Sequence, residues 1–355
     1  MNNAQQAAHA LLKGSNLNEG EVVLDLDGFK VALQSNSSEL LEKIGIYFAP
    51  VLGSGPANCV IKAIECPFND LGLAYSDWVR EPGKTGRKDS CADLEDARLV
   101  HKVRTGMTFL QSTNHHIAAG PCLENDNQIV NYINVQYINH LLQKGSLICH
   151  ASGLVSQGKV LGMAGFSGGG KSTLMLHMLD KEGIQYLTND RLFIHENTAY
   201  GIPKLPRVNP GTMIHDANLK DLLPRERLAT LEKLPQQELW DIEEKYDVFV
   251  EDIYGEGKIA NKGHMETFLI LNWKRDSDEP CQIKEVDLSE RSDLLSAIMK
   301  SPGPFYQLSD GSFFKGNSKL DPAPYLAGLK DVKVYEASGC VDFEFAKSYC
   351  LTHLL

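Results

Sequence analysis

The sequence predicts an α/β protein, with a core over residues 126–355 in which strands and helices alternate and a smaller α+β domain over residues 1–125. Three observations carry this reading. From Ser146 onward, short apolar runs (Lys159 to Ala164, Gln185 to Thr188, Thr267 to Asn272) alternate with helical segments. One run feeds a glycine-rich loop, Gly165-Phe166-Ser167-Gly168-Gly169-Gly170-Lys171-Ser172, which opens a helix through Thr173, Met175, Leu176 and Leu179. Before residue 126 the signal is different: Val22 to Leu26 and Phe29 to Leu33 flank Asp27-Gly28, a hairpin turn.

The remaining elements follow in order. A helix is expected from a cap near Ser38 through Leu40, Leu41 and Ile44, and a strand at Val60 to Ile64. Pro82 to Ser90 reads as a polar, mobile loop. Strands are expected at Met107 to Gln111 and His116 to Ala119. A helix from about Asn127 to Lys144 carries Ile129, Ile133, Tyr137 and Leu141 on one stripe, with Gly145 where a helix-ending glycine belongs; the domain change falls just before or at this helix. Its Asn and Tyr residues read as packing and solvated face rather than as a ligand site. Strands then follow at Ser146 to His150, Lys159 to Ala164, Gln185 to Thr188, Arg191 to Ile194, Asp247 to Val250, Thr267 to Asn272 and Lys284 to Val286.

The chain has 355 residues, with 35 Lys and Arg against 46 Asp and Glu, a formal charge of −11. That balance repels phosphates over most of the exterior and argues against a nucleic-acid partner. There is no long apolar span, so no membrane partner is expected, and the N-terminus Met1-Asn2-Asn3-Ala4-Gln5-Gln6 has no secretory character. Eight cysteines stand at 59, 66, 91, 122, 149, 281, 340 and 350 without a CxxC pair, which suits a reduced, cytoplasmic chain and buried thiols. His115-His116 and His264 read as structural, since no carboxylate or thiol stands at ligand spacing.

The chemistry begins at the glycine loop. A tight loop must aim successive backbone N–H groups at one centre, and side chains would block the approach. The helix N-terminus adds partial positive charge where an anion sits. Gly165, Ser167, Gly168, Gly169, Gly170, Lys171, Ser172 and Thr173 are therefore candidates for binding nucleotide phosphates, with Lys171 reaching the β- and γ-phosphates and Ser172 a candidate ligand of Mg²⁺. A second feature is Leu187-Thr188-Asn189-Asp190-Arg191; Asp190, 19 residues beyond Lys171, offers the oxygen donor that Mg²⁺ prefers. Lys204 and Arg207 lie between prolines that stiffen their segment and suit the recognition of an anionic group.

His150-Ala151-Ser152, the loop at 165–172 and Asn189-Asp190-Arg191 together resemble HPr kinase/phosphorylase and its distant relative ATP-dependent PEP carboxykinase. In both, a His precedes the loop lysine by about twenty residues and an Asp-Asp pair follows it; here His150 and Lys171 are 21 apart. The similarity continues through Trp240-Asp241-Ile242-Glu243-Glu244, the run Phe268 to Trp273, and Arg291, which matches the family's later active-site arginine. The phrases Gly201 to Thr212, Lys300 to Phe305 and Leu174-Met175-Leu176-His177 look like the bacterial group called HPr-kinase-related kinase B. The resemblance implies a P-loop core with a mixed sheet, ATP and Mg²⁺ as donor and metal, and a kinase acting on a hydroxyl of a small molecule or a protein. It assigns catalytic roles to His150, Lys171, Asp190, Arg207 and Arg291, metal contacts to Ser172 and Asp190, and a homo-oligomer by analogy.

One departure bears on mechanism. The first Asp of the family pair, the candidate base, is Asn189 here, and an amide cannot accept a proton at neutral pH. Another base (His150, Asp190 or Asp241), an acceptor that is already an anion, or transfer by positioning and charge alone would each answer this. The first is favoured, with His150 or Asp190 as base. HPr kinase activity itself is not expected, because the family's Arg-Gly-x-Gly phrase is absent after 240. The competing reading is a nucleotide-binding regulatory switch with weak ATPase activity; a carboxykinase-like lyase finds no second metal site to support it.

Overall fold

A computed structural model describes residues 1–355 apart from 69, 80–85, 167, 236–237, 240–241, 243 and 317–319. The chain forms two compact units, one of residues 1–145 with 301–319, the other of residues 146–300 with 320–355. The division falls at 145/146, not at 125/126. The helix expected at 127–144 is the reason: it packs on the sheet of the first unit and belongs to that core.

The first unit is built on eight strands among the described residues: β1 (Glu21–Leu26), β2 (Phe29–Ser35), β3 (Cys59–Glu65), β4 (Ser76–Asp77), β5 (Asp89–Asp93), β6 (Ala97–Lys102), β7 (Thr108–Ser112) and β8 (His116–Gly120). Their order is β1-β2-β3-β8-β7-β6-β5-β4, with β3 parallel to β2 and β8 and every other pair antiparallel. The β1–β2 turn is the expected one: Asp27 and Gly28 both have positive φ, 54° and 86°, and the register closes at Leu26 against Phe29. Of the expected loop at 82–90, residues 82–85 lie outside the described residues, and Asp89 already starts β5.

Helix α1 (Ala4–Leu12) covers one face through Ala4, Ala7, Ala8 and Leu11, which lie against Leu99, Leu110, Ile117 and Ala119. Helices α2 (Ser38–Tyr47) and α3 (Asp126–Gln143) pack on β1 to β3. Along β7 the alternation is plain: Leu110 joins the α1 cluster, while the Phe109 ring lies 4.9 Å from Tyr132 of α3. The polar residues of α3 are packing groups. The Tyr132 hydroxyl donates to the Leu110 carbonyl, and Gln136 exchanges hydrogen bonds with Gln111. Segment 301–319 is tied into this unit by Arg98, which donates to the Pro304 and Phe314 carbonyls, and by Asn139, which donates to that of Phe305.

The second unit contains a nine-stranded mixed sheet among the described residues. Its strands are β9 (Leu147–Cys149), β10 (Ala151–Ser156), β11 (Lys159–Gly165), β12 (Ile184–Thr188), β13 (Leu192–His195), β14 (Thr198–Tyr200), β17 (Lys262–Leu271), β18 (Gln282–Glu285) and β19 (Lys333–Ser338); β15 (Arg207–Val208) and β16 (Tyr246–Asp247) pair separately. β11, β17 and β19 run parallel, and the other pairs are antiparallel. Helix α4 (Lys171–Leu179) packs on β10, β11 and β12. The sheet separates two apolar layers. Leu161, Met163, Leu269 and Leu271 meet α4 on one side, and Val160, Ala164, Phe268 and Ile270 meet Leu294, Leu295 and Ile298 on the other.

Several expectations are corrected. The strand expected at 146–150 ends at Cys149, and His150 sits in the bend before β10. The strand expected at 247–250 covers only Tyr246–Asp247, and Val250–Tyr254 is a short helix because Val250, Ile253 and Tyr254 fall on one helical stripe against the core. Helix α1, strands β5, β6, β14 and β19, and the helix Phe343–His353 were not expected from the sequence.

No helix among the described residues is long and apolar enough to cross a membrane. Just beyond β14, Gly201 is pressed against the end of β12: a Cβ there would lie 2.0 Å from the Leu187 carbonyl oxygen. Gly201→Ala is expected to cost about 1–3 kcal/mol of stability by forcing the two backbones apart, read as a lowered midpoint in urea; an unchanged midpoint would contradict this packing.

Candidate active site

The glycine loop joins β11 to α4, as its spacing implies. Gly165 ends the strand, and the loop turns through Gly168 and Gly170, with φ of 77° and 83°. The Gly169 N–H is spent within the loop on the Phe166 carbonyl at 2.9 Å. Helix α4 makes its first ladder bond from Leu174 N–H to the Gly170 carbonyl at 2.9 Å, which leaves the N–H groups of Lys171, Ser172 and Thr173 at the helix opening. Lys171 Nζ lies 3.4 Å from the Gly165 carbonyl, a long contact that holds the side chain back along the loop. Ser167 lies outside the described residues. The Thr173 hydroxyl is hydrogen-bonded to that of Thr212 at 3.0 Å, so it ties α4 to the segment after Arg207.

Two aromatic residues that sequence reasoning gave no role hold the loop. Trp273, two residues past β17, donates its indole N–H to the Gly169 carbonyl at 2.9 Å. Phe343, at the start of the C-terminal helix, stands edge-on to Trp273 with ring centroids 5.3 Å apart. A Cβ on Gly170 would come within 2.5 Å of the Phe343 ring. Trp273 was visible in the sequence as part of the run after Phe268, but its hydrogen bond to the loop was not; Phe343 had no signal at all.

Asp190 follows β12 across a short turn. His150 Nε2 lies 3.3 Å from its Oδ1, and Arg191 Nε lies 3.8 Å from its Oδ2. The surrounding protein would raise its pKa, but the hydrogen bond with His150 and the charges of Arg191, His150 and Lys300 prevail and hold it well below the usual carboxylate range. Asp190 is therefore a fixed anion although half of its side chain meets solvent. Its charge reaches Lys171, whose pKa burial lowers and Asp190 partly restores, with Lys300 and Lys245 lowering it further. Lys204 behaves alike: burial pushes it down to about 8, Asp190 and Asp247 oppose the shift, and Arg191 and Arg207 reinforce it. His150, Lys171, Asp190 and Lys204 thus form one electrostatic group.

The segment carrying Lys204 and Arg207 is fixed from both ends. The Tyr186 hydroxyl donates to the Lys204 carbonyl, and Arg207 pairs with Asp247 at 3.1 Å across the β15–β16 ladder. Arg291 is engaged differently. Its guanidinium donates to both oxygens of Glu336, at 2.6 and 3.0 Å, and to Asp293 at 3.0 Å, while Asn272 donates to the same Glu336 at 2.7 Å. With two carboxylates on it, Arg291 braces β19 against the end of β17 in this conformation.

Asn189, where the resemblance leads one to expect an acid, has its side-chain oxygen buried with no hydrogen-bond partner. A buried acceptor left open beside a charged group is costly unless a ligand completes it. For a metal, the site offers the Ser172 hydroxyl and the Asp190 carboxylate, hard oxygen donors that fit Mg²⁺ when phosphates and water supply the rest. Among the described residues no cluster of three or more His, Cys, Asp or Glu side chains forms a metal cage. Asp241 and Glu243 lie outside the described residues.

Gly170→Ala is expected to cost about 1–2 kcal/mol for the left-handed backbone and about 1–3 kcal/mol more for the collision with Phe343. Denaturation of Gly170→Ala, Phe343→Ala and the double variant checks this. The second penalty should vanish in the Phe343→Ala background, and strictly additive losses would show that the ring does not confine the loop.

No family model matches this chain, and no curated protein sequence does. Among solved structures, the Hpr(Ser) kinase/phosphatase from Coxiella burnetii is a remote neighbour at TM-score 0.28 and 12% identity, over 58% of this chain and 95% of that one.

Proposed function

We propose that this protein is an ATP- and Mg²⁺-dependent kinase that transfers the γ-phosphoryl group to a hydroxyl of an acceptor. The observation that carries the reading is a carboxylate held anionic by an imidazole, within electrostatic reach of a half-buried lysine on a glycine loop at a helix opening. The sequence resemblance at His150, the loop and Asp190 supports the same class.

In this reading the N–H groups of Lys171 to Thr173 receive the β- and γ-phosphate oxygens, and Lys171 Nζ swings from the Gly165 carbonyl to the transferred group. Ser172 and Asp190 would hold Mg²⁺, which would neutralise charge on the phosphates when bound. Asn189 Oδ1 accepts a hydrogen bond from a second donor of the acceptor, which gives that buried oxygen its partner and positions the molecule. Asp190, held low, is a poor proton acceptor, so its work is electrostatic and orienting. His150, facing Asp190 at 3.3 Å, is the base: it takes the hydroxyl proton as the new O–P bond forms and the bond to the ADP oxygen breaks. Arg207 steadies the transferred group, and Arg291 supports the strand ends from its pair with Glu336.

The test supplies γ-labelled ATP and Mg²⁺ with cell extract separated into small-molecule and protein fractions. Label is expected on an acceptor with the wild-type protein. Lys171→Ala should slow transfer about a thousandfold, roughly 4 kcal/mol of barrier. Label released only as free phosphate would replace the kinase with a nucleotide-binding switch. His150→Ala should lower kcat by about a hundredfold or more; an unchanged kcat would remove the imidazole from the proton transfer. Asn189→Asp should leave activity intact or raise it, and a hundredfold loss would mean that the amide itself is what the acceptor needs.

A further inference from the structure

One peptide of the glycine loop is free by its chemistry to point either way. Gly169 and Gly170 are joined by a planar trans peptide, so the Gly169 carbonyl and the Gly170 N–H point in opposite directions. Gly170 has φ 83° and ψ 16°. These are the values of the third residue in a type II turn. Turning the central peptide over gives the type I form, in which that residue has φ of about −90°. A side chain would decide between the two, whereas glycine at both positions leaves either open.

Trp273 makes the choice. Its indole N–H donates to the Gly169 carbonyl at 2.9 Å, and the tryptophan is itself firmly seated. On either side of it, Asn272 N–H donates to the Ala337 carbonyl at 2.9 Å and Lys274 N–H to that of Gly339 at 2.8 Å. The residue is only 7% exposed, with the Phe343 ring edge-on at 5.3 Å. Gly169 also lies close to the end of β17: a Cβ there would stand 3.0 Å from the Phe166 carbonyl oxygen and 3.6 Å from that of Leu271. The Gly169 carbonyl is therefore docked on the protein, and the Gly170 N–H is turned away from the indole.

We infer that Trp273 is a positioning residue for phosphate binding: by holding the Gly169 carbonyl it keeps the 169–170 peptide turned so that the Gly170 N–H, not the Gly169 oxygen, faces the anion. The inference rests on the nucleotide reading of the same loop. It adds Gly170 to the donors of Lys171, Ser172 and Thr173, and it assigns the direction of that donor to a residue outside the glycine motif. A reversed peptide would harm binding twice, since a donor is lost and a carbonyl dipole is set against the phosphate. Removing the indole N–H would also leave the Gly169 oxygen without this partner, which favours the reversal.

The experiment is calorimetric titration of the full chain with a non-hydrolysable ATP analogue and Mg²⁺, with the indole of Trp273 altered atom by atom. Benzothienylalanine at this position exchanges the N–H for sulfur and keeps the fused ring, and 5-fluorotryptophan keeps the N–H. Trp273→Phe and the benzothienylalanine form should each weaken binding about tenfold or more, and the 5-fluorotryptophan form should bind as the wild type does. Urea midpoints separate this from a packing role. The benzothienylalanine form should unfold close to the 5-fluorotryptophan form while differing from it in affinity. Equal affinity in the wild-type and benzothienylalanine forms overturns the inference, and so does a loss shared by the 5-fluorotryptophan form, which would trace to packing. If the wild type itself binds no analogue, it is the nucleotide reading that falls, and the role given to the peptide falls with it.

Discussion

Strand β17 imposes the constraint on which the second unit depends. It runs parallel to β11 from Lys159 against His264 to Gly165 against Leu271, and parallel to β19 from Thr267 against Lys333 to Leu271 against Ala337. Parallel strands bring their carboxyl ends to one edge of the sheet, where open α/β sheets bind ligands. Here that edge receives the glycine loop from β11, Asn272 and Trp273 from β17, and the turn toward Phe343 from β19. The hydrogen bond from Trp273 to Gly169 and the contact between Phe343 and Gly170 are consequences of that alignment. Register matters equally. Leu269 and Leu271 face the α4 layer while Phe268 and Ile270 face the opposite one, so a slip by one residue would exchange both cores and move the tryptophan off the loop.

The same edge concentrates charge at a cost to the fold. Lys204 has a lower pKa in the folded protein than in the unfolded chain, so at neutral pH folding holds a proton on a group that its surroundings disfavour. By linkage this penalty is present below about 8 and fades as pH rises from there toward the ordinary lysine range. Asp190 has the opposite sign: its pKa is depressed, so its contribution to stability is present above the unfolded carboxylate range and is lost as pH falls below it. Near neutrality the site therefore combines a stabilising anion with lysines whose charged form burial disfavours.

Much of this was legible because local chemistry dictates it. Asp27-Gly28 specifies a tight hairpin with positive φ at both residues, and the four-residue recurrence from Ile129 to Leu141 specifies α3 with its ending at Gly145. The loop and its helix could be read from glycine spacing, whereas His150 was singled out by the family resemblance, and its approach to Asp190 at 3.3 Å was not read from the sequence. Other features depend on partners far along the chain. Helix α1 is short and presents mostly alanine to the sheet, and β14 is three residues long. The Phe343 contact joins residues more than 170 positions apart, which no local pattern encodes. Arg291 could be picked out as a cation, but its engagement by Glu336 depended on β19, a strand not expected from the sequence. The division of units shifted for a related reason: periodicity identifies α3 as a helix but does not say which sheet its stripe covers.

The return of the chain to the first unit at residues 301–319 has a consequence for synthesis. Arg98 and Asn139 find their carbonyl partners on Pro304, Phe314 and Phe305, and the Phe305 ring packs against Phe109 and Tyr132. A ribosome making this protein delivers the first 145 residues early, yet the piece that completes their core emerges only after most of the second unit has been made. Until then the Arg98 guanidinium has Asp93 but not its carbonyl partners, and the Phe109 and Tyr132 rings have each other but not Phe305. The amino-terminal unit thus cannot mature as an independent nascent domain, and a truncation that stops short of residue 301 removes part of its interior rather than only its neighbour.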